Sequence, residues 1–340
     1  LRPWKACYNQ YFPKGTGEEV QADSIGRGGL DLKKVIVLGG PTATGKTEMA
    51  VELALLVDGE VISADSAQVY RYMNIGTAKP TLEEQRGIPH HMIDIVYPDE
   101  EFSVARYKAM AEDTIKNILS RGKVPIVAGG TGLYISSLVY NIQFSDTISD
   151  WGFRERMKTL AEQYGPEYLH DRLREIDPES ARRIHPNNVK RVIRALEVFE
   201  TTGRTITEHQ AEARKEPPKF DYLVFGLIMD RQKLYERIDK RADLMMEKGL
   251  ADEVAEILNM GYSRDLVSLQ ALGYKEIAAA ISGECTMEEA VDRIKLGTRH
   301  LAKRQITWFR SMDSLKWLDT QALGKRAMLK ILVDSLNISY

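Results

Sequence analysis

Residues 39–50 read GGPTATGKTEMA, with VIVL (35–38) ahead of them and AVELALLV (50–57) running on behind. A short β-rich apolar run, a glycine-rich turn and a helix-forming stretch follow one another without a gap. Within the turn, GPTATGKT fits the spacing G-x-x-x-x-G-K-[ST] through Gly40, Gly45, Lys46 and Thr47, with Pro41, Thr42, Ala43 and Thr44 between the glycines. Such a loop lets backbone N–H groups approach phosphate oxygens at a helix N-terminus, while the lysine supplies a point charge and the hydroxyl a ligand for Mg²⁺. Loops of this kind serve kinases, GTPases, motors and other transferases alike. The motif therefore says phosphate and leaves open whose.

Working outward, the punctuation stays regular. EVISA (60–64) precedes Asp65, VPIVA (124–128) precedes Gly129-Gly130-Thr131, and YLVFGLIM (222–229) precedes Asp230. Between them, Ser103 is placed to cap a helix running to about Arg121, with Gly122 just past its end. Near-continuous apolar strands alternating with helices predict a parallel sheet covered on both faces, an α/β fold of the P-loop NTPase-like type. Ligands of such sheets sit beyond the carboxyl ends of the strands, and here every such end carries small or polar residues. An aspartate after a strand is often no more than a helix cap. However, the strand that would normally bear the second acid of an NTPase ends in AGGTG instead, with no carboxylate. Asp65 is then the acid expected beside the phosphates, as a Mg²⁺ ligand or a base.

Two basic runs stand out in a chain of net charge −2. Arg182, Arg183, Lys190, Arg191 and Arg194 lie between Ser180 and Leu196 with no acid among them, and Arg293, Lys295, Arg299, Lys303, Arg304 and Arg310 lie between Arg293 and Met312, again with none. Lys190 and Arg194 are four apart, so they are expected on one helix face, opposite a buried stripe of Val189, Val192, Ile193, Leu196 and Phe199. Solvated helix faces would account for such runs; binding of a polyanion, as substrate phosphate or nucleic-acid backbone, is the functional alternative.

The remaining features bound the class. Residues 1–30 read as an extension lacking periodicity, residues 31–141 and 219–320 as the α/β core, residues 142–218 as a helical, charged insertion, and residues 321–340 as a C-terminal helix or tail. Helices are expected over 230–260, interrupted near Gly249, and over 286–312. No run of apolar residues is long enough to span a membrane. Cys7 and Cys285 are too few for a common zinc site, and low cysteine use with no signal peptide predicts a cytoplasmic protein.

Several segments together resemble the tRNA dimethylallyltransferases, also called tRNA isopentenyltransferases. They are GPTATGKT (40–47), ADSAQVYRYMNIGTAKP (64–80), IPHHMIDI (88–95), VAGGTGLY (127–134), RIHPNNVKRVIRALEVF (183–199), LYERIDKRADLMMEKGLADEV (234–254), ALGYKE (271–276) and AKRQITWFR (302–310), in family order from about Lys34 to Asp319. Eukaryotic members carry a zinc finger that this sequence lacks, so the resemblance is to the bacterial type. It implies transfer of a dimethylallyl group from dimethylallyl diphosphate to the exocyclic amine of the adenosine 3′ of the tRNA anticodon. It also implies Asp65 as general base and Thr131 in the catalytic set as a diphosphate contact. The diphosphate then falls on residues 40–47, on Mg²⁺ held by Thr47, and on Arg237 or Arg241. The tRNA contacts fall on Asp65, Ser66, Ala67 and Gln68, on Lys190, Arg191 and Arg194, on Gln270, Gly273 and Lys275, and on Lys303, Arg304, Gln305, Trp308 and Arg310. A monomer is expected. A P-loop small-molecule kinase, a prenyltransferase acting on free AMP or ADP, and an RNA-binding protein with a degenerate cradle remain open as alternatives.

Overall fold

A computed structural model of the chain describes residues 34–142, 150–213 and 217–337. The expected extension over residues 1–30, with Cys7, lies outside them. The chain opens with β1 (Lys34–Gly39), α1 (Lys46–Val57), β2 (Gly59–Ser63), the single turn α2 (Leu82–Gln85), β3 (His90–His91), α3 (Val104–Ser120), β4 (Val124–Ala128) and α4 (Gly132–Val139). Next come α5 (Trp151–Tyr164), α6 (Pro166–Ile176), α7 (Pro178–Arg183), α8 (Val189–Thr202) and α9 (Ile206–Ala213). It closes with β5 (Asp221–Ile228), α10 (Arg231–Glu247), α11 (Leu250–Asn259), α12 (Tyr274–Ile281), α13 (Met287–Arg310), β6 (Lys316–Asp319) and α14 (Lys325–Ser335).

The six strands form one sheet in the order β3-β2-β4-β1-β5-β6, and every neighbouring pair is parallel. This is the expected α/β sheet, with β1 at its centre between β4 and β5. Val35, Ile36, Val37 and Leu38 are fully buried, as a strand covered on both faces requires. Two edge strands were not legible in the sequence. His90–His91 has no apolar run, and Lys316–Asp319 is four residues of mixed polarity.

The helix ends follow local chemistry. Ser103 Oγ accepts from the Arg106 N–H at 3.2 Å, and Gly122 takes a positive φ after α3. Asp230 caps α10 by accepting from the Gln232 and Lys233 N–H groups, and Gly249, at φ 91°, separates α10 from α11 where the interruption is expected. Thr286 and Glu289 form a capping box at the start of α13. Among the described residues, no helix is long and apolar enough to cross a membrane.

The chain separates into two compact units, one comprising the described residues up to Ile135 and from Phe220 on, the other Ser136–Lys219. In the second, Phe153, Met157, Leu169, Leu173, Val192, Ile193 and Leu196 make a core of their own. Glu197 is fully buried there, and it accepts from Arg154 Nε at 2.8 Å and Arg194 Nη1 at 2.7 Å. Burial alone would raise its carboxyl, but these hydrogen bonds outweigh it and hold the group below its ordinary range.

Candidate active site

The carboxyl edge of β1 runs straight into the cradle. Gly40 (φ 128°) and Gly45 (φ 90°) adopt conformations closed to most side chains, and Ala43 also takes a positive φ of 64°. A Cβ on Gly40 would lie 2.5 Å from the Leu227 carbonyl oxygen of β5, so close strand packing as well as loop shape demands glycine there. Inside the loop, Thr44 Oγ1 donates to the Pro41 carbonyl at 2.8 Å and Lys46 Nζ to the same oxygen at 2.6 Å. Thr47 is exposed at the first turn of α1.

Lys46 is the most perturbed cation of the site. Burial, and secondarily the charge of Arg241, pull its ammonium down to about 7, while the Asp65 carboxylate acts the other way. Arg241 is itself lowered by burial and supported by Asp65 and Glu84. Lys46, Asp65 and Arg241 thus share one electrostatic environment, contributed by α1, the end of β2 and α10. Of the two arginines left unranked by the sequence, Arg241 enters this cluster; Arg237, one turn earlier, is exposed and acts on it through Arg241.

Beside the cradle, Asp65 Oδ1 accepts from the Ala67 N–H at 2.9 Å. Thr131 Oγ1 accepts from the Ser66 N–H at 2.9 Å and lies 3.3 Å from Ser66 Oγ. The Thr131 N–H reaches the Ala64 carbonyl at 3.0 Å. The ends of β2 and β4 are therefore sewn together next to the expected base. Gln68 is bound into its own loop: Oε1 accepts from Ser63 Oγ at 2.8 Å, and Nε2 donates to the Thr77 and Ala78 carbonyls. That loop is held from beneath by Glu253 of α11, which accepts from the N–H groups of Asn74, Ile75 and Gly76 and from the Tyr274 hydroxyl at 2.6 Å. Neither Glu253 nor Tyr274 stood out in the sequence. Their apolar neighbours Val254 and Ile277 on the same helices are buried, so helical periodicity was the available signal.

The basic runs divide on inspection. On α13, Lys295 pairs with Asp243 at 2.6 Å and Arg299 with Asp239, its Nε at 3.0 Å, so these two members of the run are balanced by α10. Lys303, Arg304 and Arg310 are exposed and form no ion pair among the described residues. Gln305 and Trp308 are half-buried instead: Gln305 bridges the cradle and the β4 loop, and Trp308 occupies the space a side chain at Gly132 would need. On α8, Lys190 and Arg191 are exposed, but Arg194 is drawn onto buried Glu197, which the acid-free window stopped one residue short of including. Lys190 and Arg194 do lie on one face of α8, as their spacing requires, but Arg194 is half-buried and paired whereas Lys190 is exposed. Gln270 donates to the Arg264 carbonyl, Gly273 takes φ 97° ahead of α12, and Lys275 is exposed 3.6 Å from Glu276.

The parallel sheet and the loop at the end of its central strand define a P-loop-type α/β protein with its ligand edge at the strand termini. Comparison with known proteins narrows that class. The family model described as IPP transferase matches residues 68–312. The tRNA dimethylallyltransferase of Acetivibrio thermocellus is 55% identical over 85% of this chain and 92% of its own, and that of a Thermoanaerobacter strain is 49% identical over 89% and 99%. The tRNA isopentenylpyrophosphate transferase of Bacillus halodurans superposes with a TM-score of 0.67 at 41% identity, over 90% of this chain and 97% of that one. A eukaryotic dimethylallyltransferase acting on tRNA superposes with a TM-score of 0.74 at 31% identity, over 89% and 79%. The chain belongs to the IPP transferase family, and it is an enzyme, a prenyl-transferring transferase.

Proposed function

We propose that this enzyme transfers a dimethylallyl group from dimethylallyl diphosphate to the exocyclic amine of the adenosine 3′ of a tRNA anticodon. The observation that carries the reading is the meeting of Lys46, Arg241 and Asp65 at the strand ends, cations for a leaving diphosphate beside a carboxylate for a proton. An adenine amine is a weak nucleophile because its lone pair is delocalised into the ring. As nitrogen attacks the allylic carbon, the carbon–oxygen bond breaks, its electron pair leaves with the diphosphate, and the amine proton passes to Asp65. A positioned base of this kind contributes about 10²–10⁴-fold. Lys46, Arg241 and the cradle N–H groups offset the charge developing on the diphosphate.

Among the described residues, no cluster of three or more His, Cys, Asp or Glu side chains could hold a metal alone. Mg²⁺ binds through one or two protein oxygens and substrate phosphates rather than an all-protein cage, and the hydroxyl of Thr47, exposed at the first turn of α1, is an oxygen of that kind. Thr47 would hold it through its hydroxyl, and when bound it supplies further positive charge to the diphosphate. The acceptor base must leave its stack to reach the site, which costs less in an anticodon loop than in a duplex. Lys190, Arg191, Lys303, Arg304 and Arg310 are the exposed cations assigned to the RNA backbone. Supplied with Mg²⁺ and dimethylallyl diphosphate, the enzyme prenylates an unmodified anticodon stem-loop with adenosine at that position, and mass spectrometry of the digest shows one added unit on one adenosine. Faster reaction of AMP or ADP by kcat/KM would replace this reading with the mononucleotide prenyltransferase; consumption of ATP alone would replace it with a kinase.

A further inference from the structure

The resemblance assigns Gln305 to the RNA, but its side-chain amide points into the protein. Its Oε1 accepts from the Thr42 N–H at 2.9 Å, and its Nε2 donates to the Gly130 carbonyl at 3.0 Å. These partners fix the amide's orientation, since an N–H can meet only the oxygen end and a carbonyl only the nitrogen end. The bonds span 263 and 175 residues of sequence and join two loops that leave adjacent strands, β1 and β4, where Leu38 lies opposite Ala128. One loop is the cradle; the other ends at Thr131, whose hydroxyl holds the Ser66 N–H next to Asp65. The contact is built tightly, because a Cβ on Gly130 would collide with Gln305 Nε2. The Thr42 N–H, moreover, is committed to Gln305.

We propose that Gln305 is a positioning residue for prenyl transfer, a strut that fixes the spacing between the diphosphate cradle and the loop that carries the base side of the site. The inference rests on the proposed reaction for its activity readout. It assigns Gln305 a different task from its neighbours Lys303 and Arg304, whose side chains are exposed. A strut needs an acceptor at one end and a donor at the other. Glutamine supplies both, a carboxylate supplies only acceptors and opposes the Gly130 carbonyl, and a protonated carboxylic acid supplies both again.

The test uses Gln305→Glu and Gln305→Ala in the full chain, with three readouts: kcat and KM for dimethylallyl diphosphate, Kd of an anticodon stem-loop measured without donor, and thermal melting. Displacing the cradle from the base by a fraction of an ångström lowers kcat/KM by about 10–100-fold in both variants, while the stem-loop Kd moves less than about twofold. The activity of Gln305→Glu relative to wild type climbs several-fold between about pH 7 and about pH 5, as its carboxyl takes up a proton and regains a donor; Gln305→Ala shows no such climb. Loss of fold would show as melting and would not recover at lower pH. Stem-loop affinity falling in step with kcat/KM would overturn the proposal in favour of direct RNA contact, and a flat pH ratio with near-normal turnover would overturn it outright. Wild-type turnover of the stem-loop reports on the proposed reaction separately from these variant ratios.

Discussion

Raising the pH above neutrality should weaken donor binding because of Lys46. In the free enzyme its ammonium titrates at about 7, held down first by burial and then by Arg241. A bound diphosphate places several negative charges against that nitrogen and favours the protonated form, so binding takes up a proton wherever free Lys46 is neutral. The sign follows: affinity is intact below the free value and falls as pH rises past it. The apparent Kd scales as one plus ten to the power of pH minus 7. Between about pH 7.5 and about pH 9 it therefore grows by about 25-fold, or about 2 kcal/mol. The terminal phosphate of the donor is fully ionised across this window, its own second ionisation lying near 6, so the slope belongs to the protein. Titration calorimetry of an unreactive thio analogue of dimethylallyl diphosphate with Mg²⁺, in two buffers of different ionisation heat, reads both quantities: affinity against pH, and close to one proton taken up at the alkaline end. Lys46→Met should bind more weakly at every pH with a flat profile. A wild-type affinity unchanged across the window, or no proton uptake at its alkaline end, would refute the argument.

Three other expectations follow from the same geometry. Asp65→Asn keeps the shape of the side chain but loses the base, so kcat falls by about 10²–10⁴-fold while stem-loop affinity in a filter or fluorescence assay stays nearly unchanged. Arg191→Ala removes one exposed cation from α8 and should weaken stem-loop binding and reduce the slope of log K against log salt by about 0.7–0.9 at most, read from titrations at several salt concentrations. Glu60, buried at the start of β2, is held down to about 2 chiefly by hydrogen bonding from Arg121, with His91 also in contact at 2.7 Å. Its contribution of about 3 kcal/mol is full above its unfolded value of 4.5 and lost as pH falls toward 2, so denaturant titrations should show a loss between pH 6 and pH 3 that Glu60→Gln lacks.

What could be read in advance was what the chain encodes locally. The cradle, Asp65, the four long strands and the caps at Ser103 and Asp230 each depend on a few adjacent residues, and their chemistry stands in the sequence. What escaped depends on partners far away. AKRQITWFR reads as one basic-aromatic block, yet helix α13 splits it: Lys303, Arg304 and Arg310 turn outward, whereas Gln305 and Trp308 turn onto the loops and Phe309 is fully buried against Gly39. The spacing of Ala302, Gln305 and Phe309 along one helical face was the clue to that division. IPHHMIDI likewise proves to be scaffold, with His91 on Glu60 and Asp94 on Lys79, at 2.7 and 2.5 Å. Arg194 reads as one more free cation of its run, yet it pairs with buried Glu197 one residue past the run's end; a window of sequence shows charges and not the depth at which their partners sit.

The central place of β1 has a consequence for how the enzyme is made. Its partner β4 is synthesised soon after it, but its other flank waits for β5, and the strut onto Thr42 waits for Gln305, 263 residues downstream. At about 5–20 residues per second a ribosome needs on the order of tens of seconds to cover that distance. Until β5 emerges the nascent chain carries β1 with that hydrogen-bonding edge uncovered, and through the longer interval its cradle lacks the strut to the loop after β4. The emerging protein therefore passes through a stage with an open strand edge and an unbraced cradle, closed only once β5 and then α13 have left the exit tunnel.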